Sequence, residues 1–325
     1  MNNLFSGVCN RKVAIIGAGY VGSSIAYALT IKNLAREIVL IDLSKEKAHG
    51  EALDIQHGIP YMGTSWVHVG DYADCAGCDL IIVTVGRNRK KDEDRLDLIS
   101  DNYKYLKSVT AEIKKHYTRG VILVVTNPVD IMTFLCEKWM ELPPGRVFGT
   151  GCVLDTSRLV RSIANYASIS IEAVKCSIVG EHGDSQFPIW SRLAIAGIPM
   201  EEYCRNIKLD WNDDIKEALY NSVRKMGATI IAEKERTHYG IATCVCALAD
   251  AILNQRPSIA PVTSVLHGEY GISDVALSLP SIIGVNGVET RLEEHWAKEE
   301  NDRFIASAEK LKNTISVVEK SKQNM

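Results

Sequence analysis

No apolar run in this chain approaches the roughly 20 residues that a membrane span needs. There is no charge excess either: 37 Lys and Arg stand against 40 Asp and Glu, for a formal net charge of -3. Such mild acidity gives no electrostatic reason to expect nucleic acid or a membrane surface as a partner. The opening residues, Met1 to Phe5, lack the charged and apolar regions of a secretory signal. Internal repeats and low-complexity tracts are missing as well. Nine cysteines are an odd number, scattered through apparent core segments. Cys152, Cys176, Cys244 and Cys246 sit in apolar contexts and read as small buried hydrophobes. Cys75 and Cys78 form a C-x-x-C pair, but no second pair completes a four-ligand zinc site. They are expected to be structural thiols. A reducing cytoplasm is the expected home, and no metal is expected.

What the chain does have is a β/α rhythm. Hydrophobic residues at 46% and charged residues at 24% are ordinary for a globular protein, and 325 residues suit two domains. Lys12–Ile16 and Glu37–Ile41 read as strands, each followed by a helical pattern, over Val21–Lys32 and Lys45–Gln56. Asp79–Val85 and Gly120–Thr126 are further apolar strands, with a helix over Arg95–Tyr117 between them. Near-continuous Val/Ile/Leu strands separated by helices imply a parallel sheet covered on both faces. Beyond about Gly149 the rhythm changes. Val153–Tyr166 reads as a helix and Val174–Val179 as a strand. Asp213–Glu233 and Glu299–Val318 read as long helices, and Pro261–His267 and Val275–Val285 as antiparallel strands. The expected fold is α/β, with a doubly wound parallel sheet in residues 1–149 and a mixed α+β substrate domain in residues 150–325.

Gly17, Gly19 and Gly22 follow the first strand and open a helix, giving G-x-G-x-x-G in the context that makes it informative. The first glycine makes the tight turn, the second admits a pyrophosphate, and the third lets helix and strand pack closely. The N-terminal N–H groups of the helix, from Tyr20 and Val21 onward, would face the phosphates. Asp42 ends the second strand about 20 residues beyond the last glycine, where an acid binds ribose hydroxyls. It would repel a 2′-phosphate, and Leu43 supplies no compensating arginine, so NAD is the expected cofactor.

A second constellation lies downstream. His182, within Gly180-Glu181-His182-Gly183-Asp184, can exchange a proton near neutrality. Asp155 could fix its tautomer and stabilise the imidazolium, and Arg158 could hold a substrate carboxylate through paired hydrogen bonds. Taken singly, His182 could be a satisfied loop histidine, Asp155 a helix cap and Arg158 half of a surface ion pair.

With both constellations in view, the chain resembles the L-lactate/L-malate dehydrogenase family, and its bacterial lactate branch most. The motifs IIGAGYVGSSIA, TNPVD, GTGCVLDTSR, GEHGDSQFPIW and THYGIA carry the resemblance from Val13 to about Ser316. The family likeness implies that His182, Asp155 and Arg158 converge in space. It also implies that Asn127 orients substrate and nicotinamide, that Thr237 lines the substrate pocket, and that Gly86 begins a lid. Within that lid, Arg95 resembles the arginine that polarises the substrate carbonyl. Arg89 occupies the position facing the substrate's variable group. The helix around His49–His57 resembles a subunit-interface helix, which implies a homodimer or homotetramer.

Substrate choice is drawn two ways. Arg89 resembles the malate-type arginine that pairs with a second carboxylate. Glu181 and Thr237 resemble lactate-type residues. The expectation is reversible hydride transfer between NADH and pyruvate, with oxaloacetate/malate as the alternative. A catalytically silent NAD-binding protein should have lost a member of the proton-transfer set, and none is missing. In many bacterial relatives an arginine and a histidine bind an activating sugar bisphosphate. The matching positions here are Val160 and Lys175, so weak or no activation is expected.

Overall fold

The computed structural model describes residues 11–87 and 95–323. Its first half runs β1 (Lys12–Ile16), α1 (Tyr20–Ile31), β2 (Glu37–Ile41), α2 (Lys45–Met62), β3 (Trp66–Val69), β4 (Leu80–Val83), α3 (Arg95–His116), β5 (Val121–Val124), α4 (Val129–Met140) and β6 (Val147–Gly149). The middle holds α5 (Val153–Ala167), then the short strands β7 (Val174–Lys175), β8 (Ile178–Val179), β9 (Phe187–Pro188), β10 (Ala194–Ile195) and β11 (Ile198–Pro199). The chain then continues through α6 (Met200–Ile207), α7 (Asp213–Lys234), α8 (Tyr239–Leu253), β12 (Ser258–His267), β13 (Ser273–Gly284), β14 (Gly287–Arg291) and α9 (Lys298–Gln323).

Nine strands form one sheet in the order β14-β13-β12-β6-β5-β4-β1-β2-β3. From β6 to β3 every pairing is parallel, as the unbroken apolar strands require. Alternation along each strand feeds two cores. Ala14, Ile16, Ile81 and Val83 pack with Ile99, Leu106, Leu135 and Phe304 on one face. Val13, Ile15, Leu40 and Ile82 pack with Ile25, Leu29, Leu248 and Ile252 on the other. The antiparallel strands β12–β14 extend this same sheet, joined where Thr263 pairs with Gly149. A third apolar cluster lies under α5, α6 and α7, around Leu159, Ile163, Met200 and Val223.

Helices α4, α6 and α8 and strands β3 and β14 lie where the sequence reading placed no element, and two of the expected elements change their course. The helix expected over Lys45–Gln56 continues through Gly58 and Pro60 to Met62. The single strand expected over Val174–Val179 is broken at Cys176–Ser177, because its two ends serve different partners: Val174–Lys175 pairs with β10, and Ile178–Val179 with β9. Cys75 and Cys78 are buried, burial pushes both thiols up to about 12, and the Cys78 thiol donates to the Asp74 carbonyl. Among the described residues no helix is long and apolar enough to cross a membrane.

Candidate active site

The candidate site lies outside the C-terminal ends of β1, β4 and β5, where open α/β sheets present ligand crevices. Gly17 leaves β1 with φ +106°, a conformation that favours glycine. A Cβ on Gly22 would stand 1.8 Å from the Gly17 carbonyl oxygen, so the turn and the first coil of α1 touch only because that side chain is absent. A Cβ on Gly19 would meet nothing within 4 Å, which leaves the middle of the turn open to a ligand. Thr84 fixes the turn from β4, its hydroxyl donating to the carbonyls of Ile16 and Gly17 at 3.1 and 2.9 Å.

Asp42 closes one end of this cradle. Its two oxygens accept from the backbone N–H groups of Ala18 and Ser44, at 2.7 and 3.0 Å. Gly17, Gly19, Asp42 and Gly86 line one cleft of about 410 Å³ with Thr84 and Tyr105. No side chain caps the start of α1, where Tyr20 and Val21 present the first helical N–H groups. An open glycine, an uncapped helix start and a carboxylate at the far end fit the pyrophosphate and ribose of a dinucleotide. The Tyr20 ring is turned toward the α7–α8 junction, with the Arg236 guanidinium 4.0 Å from its centroid.

The loop that carries His182 is tied down residue by residue. Gly180 (φ +89°) exchanges two backbone hydrogen bonds with Ser278 on β13, both 3.0 Å. The His182 N–H donates to the Asp130 carboxylate at 2.7 Å. Nδ1 of His182 lies 2.8 Å from Oδ2 of Asp155, and the other oxygen of that carboxylate takes the Arg158 guanidinium at 2.9 Å. One buried carboxylate therefore bridges the base and the arginine. The His182 side chain remains 29% exposed, enough for a ligand to reach it, against 5% for Asp155.

Charge follows geometry. Burial opposes a positive charge on His182, but the Asp155 carboxylate outweighs it and Asp130 adds to it, so the imidazole pKa is raised. Burial likewise opposes charge on Asp155, yet His182 and Arg158 together bring its pKa below the ordinary value of 3.8. Burial pushes Asp130 up to about 6, against the lowering pull of Thr263 and His182.

Of the sequence-expected residues, the structure brings His182, Asp155 and Arg158 into contact. Asp155 and Arg158 lie one turn apart on α5, and Asp155 sits inside the first turn rather than capping it, since the cap is Cys152. Asn127 ends the turn after β5, three residues before Asp130, and its Oδ1 accepts from the Val129 N–H. Thr237 precedes His238, whose Nδ1 is 2.9 Å from the Ser24 hydroxyl of α1. Two residues beyond His238, a Cβ on Gly240 would stand 3.1 Å from the side chain of Leu154, the residue before Asp155. Arg95 opens α3. Its side chain, Arg89 and the rest of 88–94 lie outside the described residues. Cys152, Asp155 and His182 also offer ligand-type atoms within 4.8 Å of one another. Arg158 on the same carboxylate opposes a cation there.

Sequence reasoning did not assign Asp130, Ser278, Ser307 or Lys310. Asp130 had a visible signal, a carboxylate between Val129 and Ile131 in an otherwise apolar stretch. The other three touch the loop only through tertiary contacts.

Comparison with known proteins agrees with this geometry. The lactate/malate dehydrogenase NAD binding domain matches residues 11–149, and the α/β C-terminal domain of the same family matches residues 152–322. The chain is 42% identical over 305 residues to the L-lactate dehydrogenase of Thermoanaerobacter sp. (strain X514), covering 94% of this chain and 98% of that protein. It is 40% identical over 309 residues to L-lactate dehydrogenase 1 of Clostridium acetobutylicum, covering 95% and 99%. The solved minor L-lactate dehydrogenase from Enterococcus mundtii superimposes with a TM-score of 0.92 at 36% identity, covering 95% of this chain and 99% of that one. With both halves matched and the site assembled, the chain belongs to the lactate/malate dehydrogenase family.

Proposed function

We propose that this protein is an NAD-dependent L-lactate dehydrogenase that interconverts pyruvate and lactate. The observation that carries the reading is the Asp155 carboxylate shared between His182 and Arg158, in a chain that also holds the open glycine turn and Asp42. Preference for pyruvate over oxaloacetate is supported by the relatives, which at 40–42% identity are named L-lactate dehydrogenases.

NADH, when bound, supplies the hydride. Asp42 and the glycine turn would hold its adenosine and pyrophosphate, and Asn127 and Gly86 would flank its nicotinamide end. Arg158 clamps the substrate carboxylate, which fixes the ketone toward His182. In reduction the imidazolium gives its proton to the ketone oxygen, and Asp155 stabilises the charge beforehand and orients the ring. Thr237 lines the pocket and Arg95 polarises the carbonyl. In oxidation the neutral imidazole takes the alcohol proton. The division of labour falls near residue 150, with cofactor contacts before it and proton transfer after it.

In this reading the protein works in the cytoplasm as a homodimer or homotetramer. Exposed Leu53 and Tyr61 on α2 suit an interface between copies. Sugar-bisphosphate activation is weak or absent, because Val160 has no phosphate-binding group while Lys175 alone remains. A sharp fall in KM for pyruvate on adding fructose 1,6-bisphosphate contradicts that point.

Replacing His182 by Gln tests the assignment. NADH fluorescence should still report binding, while pyruvate reduction falls by roughly 10³-fold or more, since general acid catalysis is worth about 10²–10⁴. Retained turnover would remove His182 from the chemistry.

A further inference from the structure

We propose that Lys310, with Ser307 one turn before it on α9, is a positioning residue for the catalytic loop: it holds Glu181 and so sets the place and the charge surroundings of His182. This deepens the dehydrogenase reading and rests on it.

The loop has three consecutive anchors from three elements. Gly180 is fixed by β13 and His182 by Asp130 of α4. The residue between them is fixed by the last helix. The Glu181 N–H donates to the Ser307 hydroxyl at 2.9 Å, and the Glu181 carboxylate receives Lys310 Nζ at 3.0 Å together with the Ser185 hydroxyl. The Ser185 and Ser307 hydroxyls are themselves 2.9 Å apart. Ser307 and Lys310 stand at i and i+3, on one face of the helix. A Cβ on Gly180 would come within 3.1 Å of the Ser307 hydroxyl, so α9 packs directly on the loop.

Burial makes this contact consequential. The Glu181 side chain is 2% exposed and Lys310 44%. A carboxylate that deep needs compensating charge or hydrogen bonds, and Lys310 brings a full positive charge to it from the solvent side. The groups around His182 are Asp155, Arg158 and the Cys152 thiol from α5 and its start, Asp130 from α4, and Glu181 and Asp184 from its own loop, and Lys310 of α9 reaches this set through Glu181. Burial keeps Cys152 a neutral thiol. Removing Lys310 tips this set toward negative charge, which favours the imidazolium.

The test titrates His182 by NMR in protein carrying ¹³C-labelled histidine, its resonance assigned with His182→Gln. Lys310→Met should raise the His182 pKa by about half a unit relative to the unsubstituted protein, as expected when a nearby compensating charge is lost. Lys310→Arg should leave it in place, and Glu181→Gln with Lys310→Met should bring it back. The alkaline limb of kcat/KM for pyruvate should move in step. An unchanged His182 titration in a folded Lys310→Met protein overturns the proposal, as does a shift that the double substitution leaves intact. If the unsubstituted protein reduces neither pyruvate nor oxaloacetate, the dehydrogenase reading fails by itself. The titration of the same variants still decides whether Lys310 acts on His182.

Discussion

Oδ2 of Asp155 stands 2.8 Å from Nδ1 of His182 while its partner oxygen engages Arg158. The carboxylate thereby links the proposed proton donor to the group that would grip the substrate, and one substitution should disturb both.

Asp155→Asn should lower kcat/KM for pyruvate by roughly 10²-fold or more, since the carboxylate sets both tautomer and charge. The pH profile should move too. Reduction needs the imidazolium, so it falls as pH rises through the raised His182 pKa, while lactate oxidation climbs across the same value. Without Asp155, burial dominates and both limbs shift to lower pH. Stability should follow by linkage. The raised His182 pKa contributes stability fully below its ordinary 6.5, lost as pH rises through the folded value. The lowered Asp155 pKa contributes above its ordinary 3.8, lost as pH falls through the folded value. The difference in Tm between the two proteins should be greatest between 3.8 and 6.5 and narrow at alkaline pH.

Arg158→Lys keeps a charge but loses the planar fork that matches a carboxylate. Its kcat/KM for pyruvate should fall by about 10–100-fold, the worth of one or two charge-assisted hydrogen bonds. NADH affinity, measured by fluorescence titration, should hardly change. A loss confined to NADH affinity would move Arg158 out of the substrate pocket.

Asp42→Ser removes the carboxylate proposed to repel a 2′-phosphate. The NADPH-to-NADH ratio of kcat/KM should rise by about 10-fold or more, for removal of a like charge at close range. Because Asp42 also accepts from Ala18 and Ser44, activity with NADH should drop as well. An unmoved ratio would mean that the adenosine end lies elsewhere.

Arg89→Gln addresses the position where the motif resembles malate-type enzymes. A guanidinium closed over the pyruvate methyl would be poorly paired, so glutamine should raise the pyruvate-to-oxaloacetate ratio of kcat/KM by about 10-fold or more. A ratio that moves toward oxaloacetate would contradict the role assigned to Arg89.

Much of the parallel half was legible in the sequence. Strands such as Ile38–Ile41 and Ile81–Val83 are buried on both faces and so are unbroken apolar runs, and the Gly17–Gly22 turn cannot tolerate side chains where the backbone closes on itself. The meeting of His182, Asp155 and Arg158 was legible only through the family likeness, because each of them singly has an ordinary structural reading, and the structure does bring the three together. Legibility failed where partners are distant. No local pattern tells Val174–Lys175 and Ile178–Val179 to pair with different strands. Nothing near Lys310 points to Glu181, 129 residues away. The joining of β12 to β6 through Thr263 and Gly149 is likewise a single long-range register.

The most direct test is steady-state NADH oxidation by the unsubstituted protein, followed by absorbance with pyruvate and with oxaloacetate at matched pH. Pyruvate should be turned over, with a kcat/KM larger than that for oxaloacetate. A larger value for oxaloacetate would assign the malate reaction instead, and NADH binding without turnover of either acid would contradict a dehydrogenase built on Asp155 and His182.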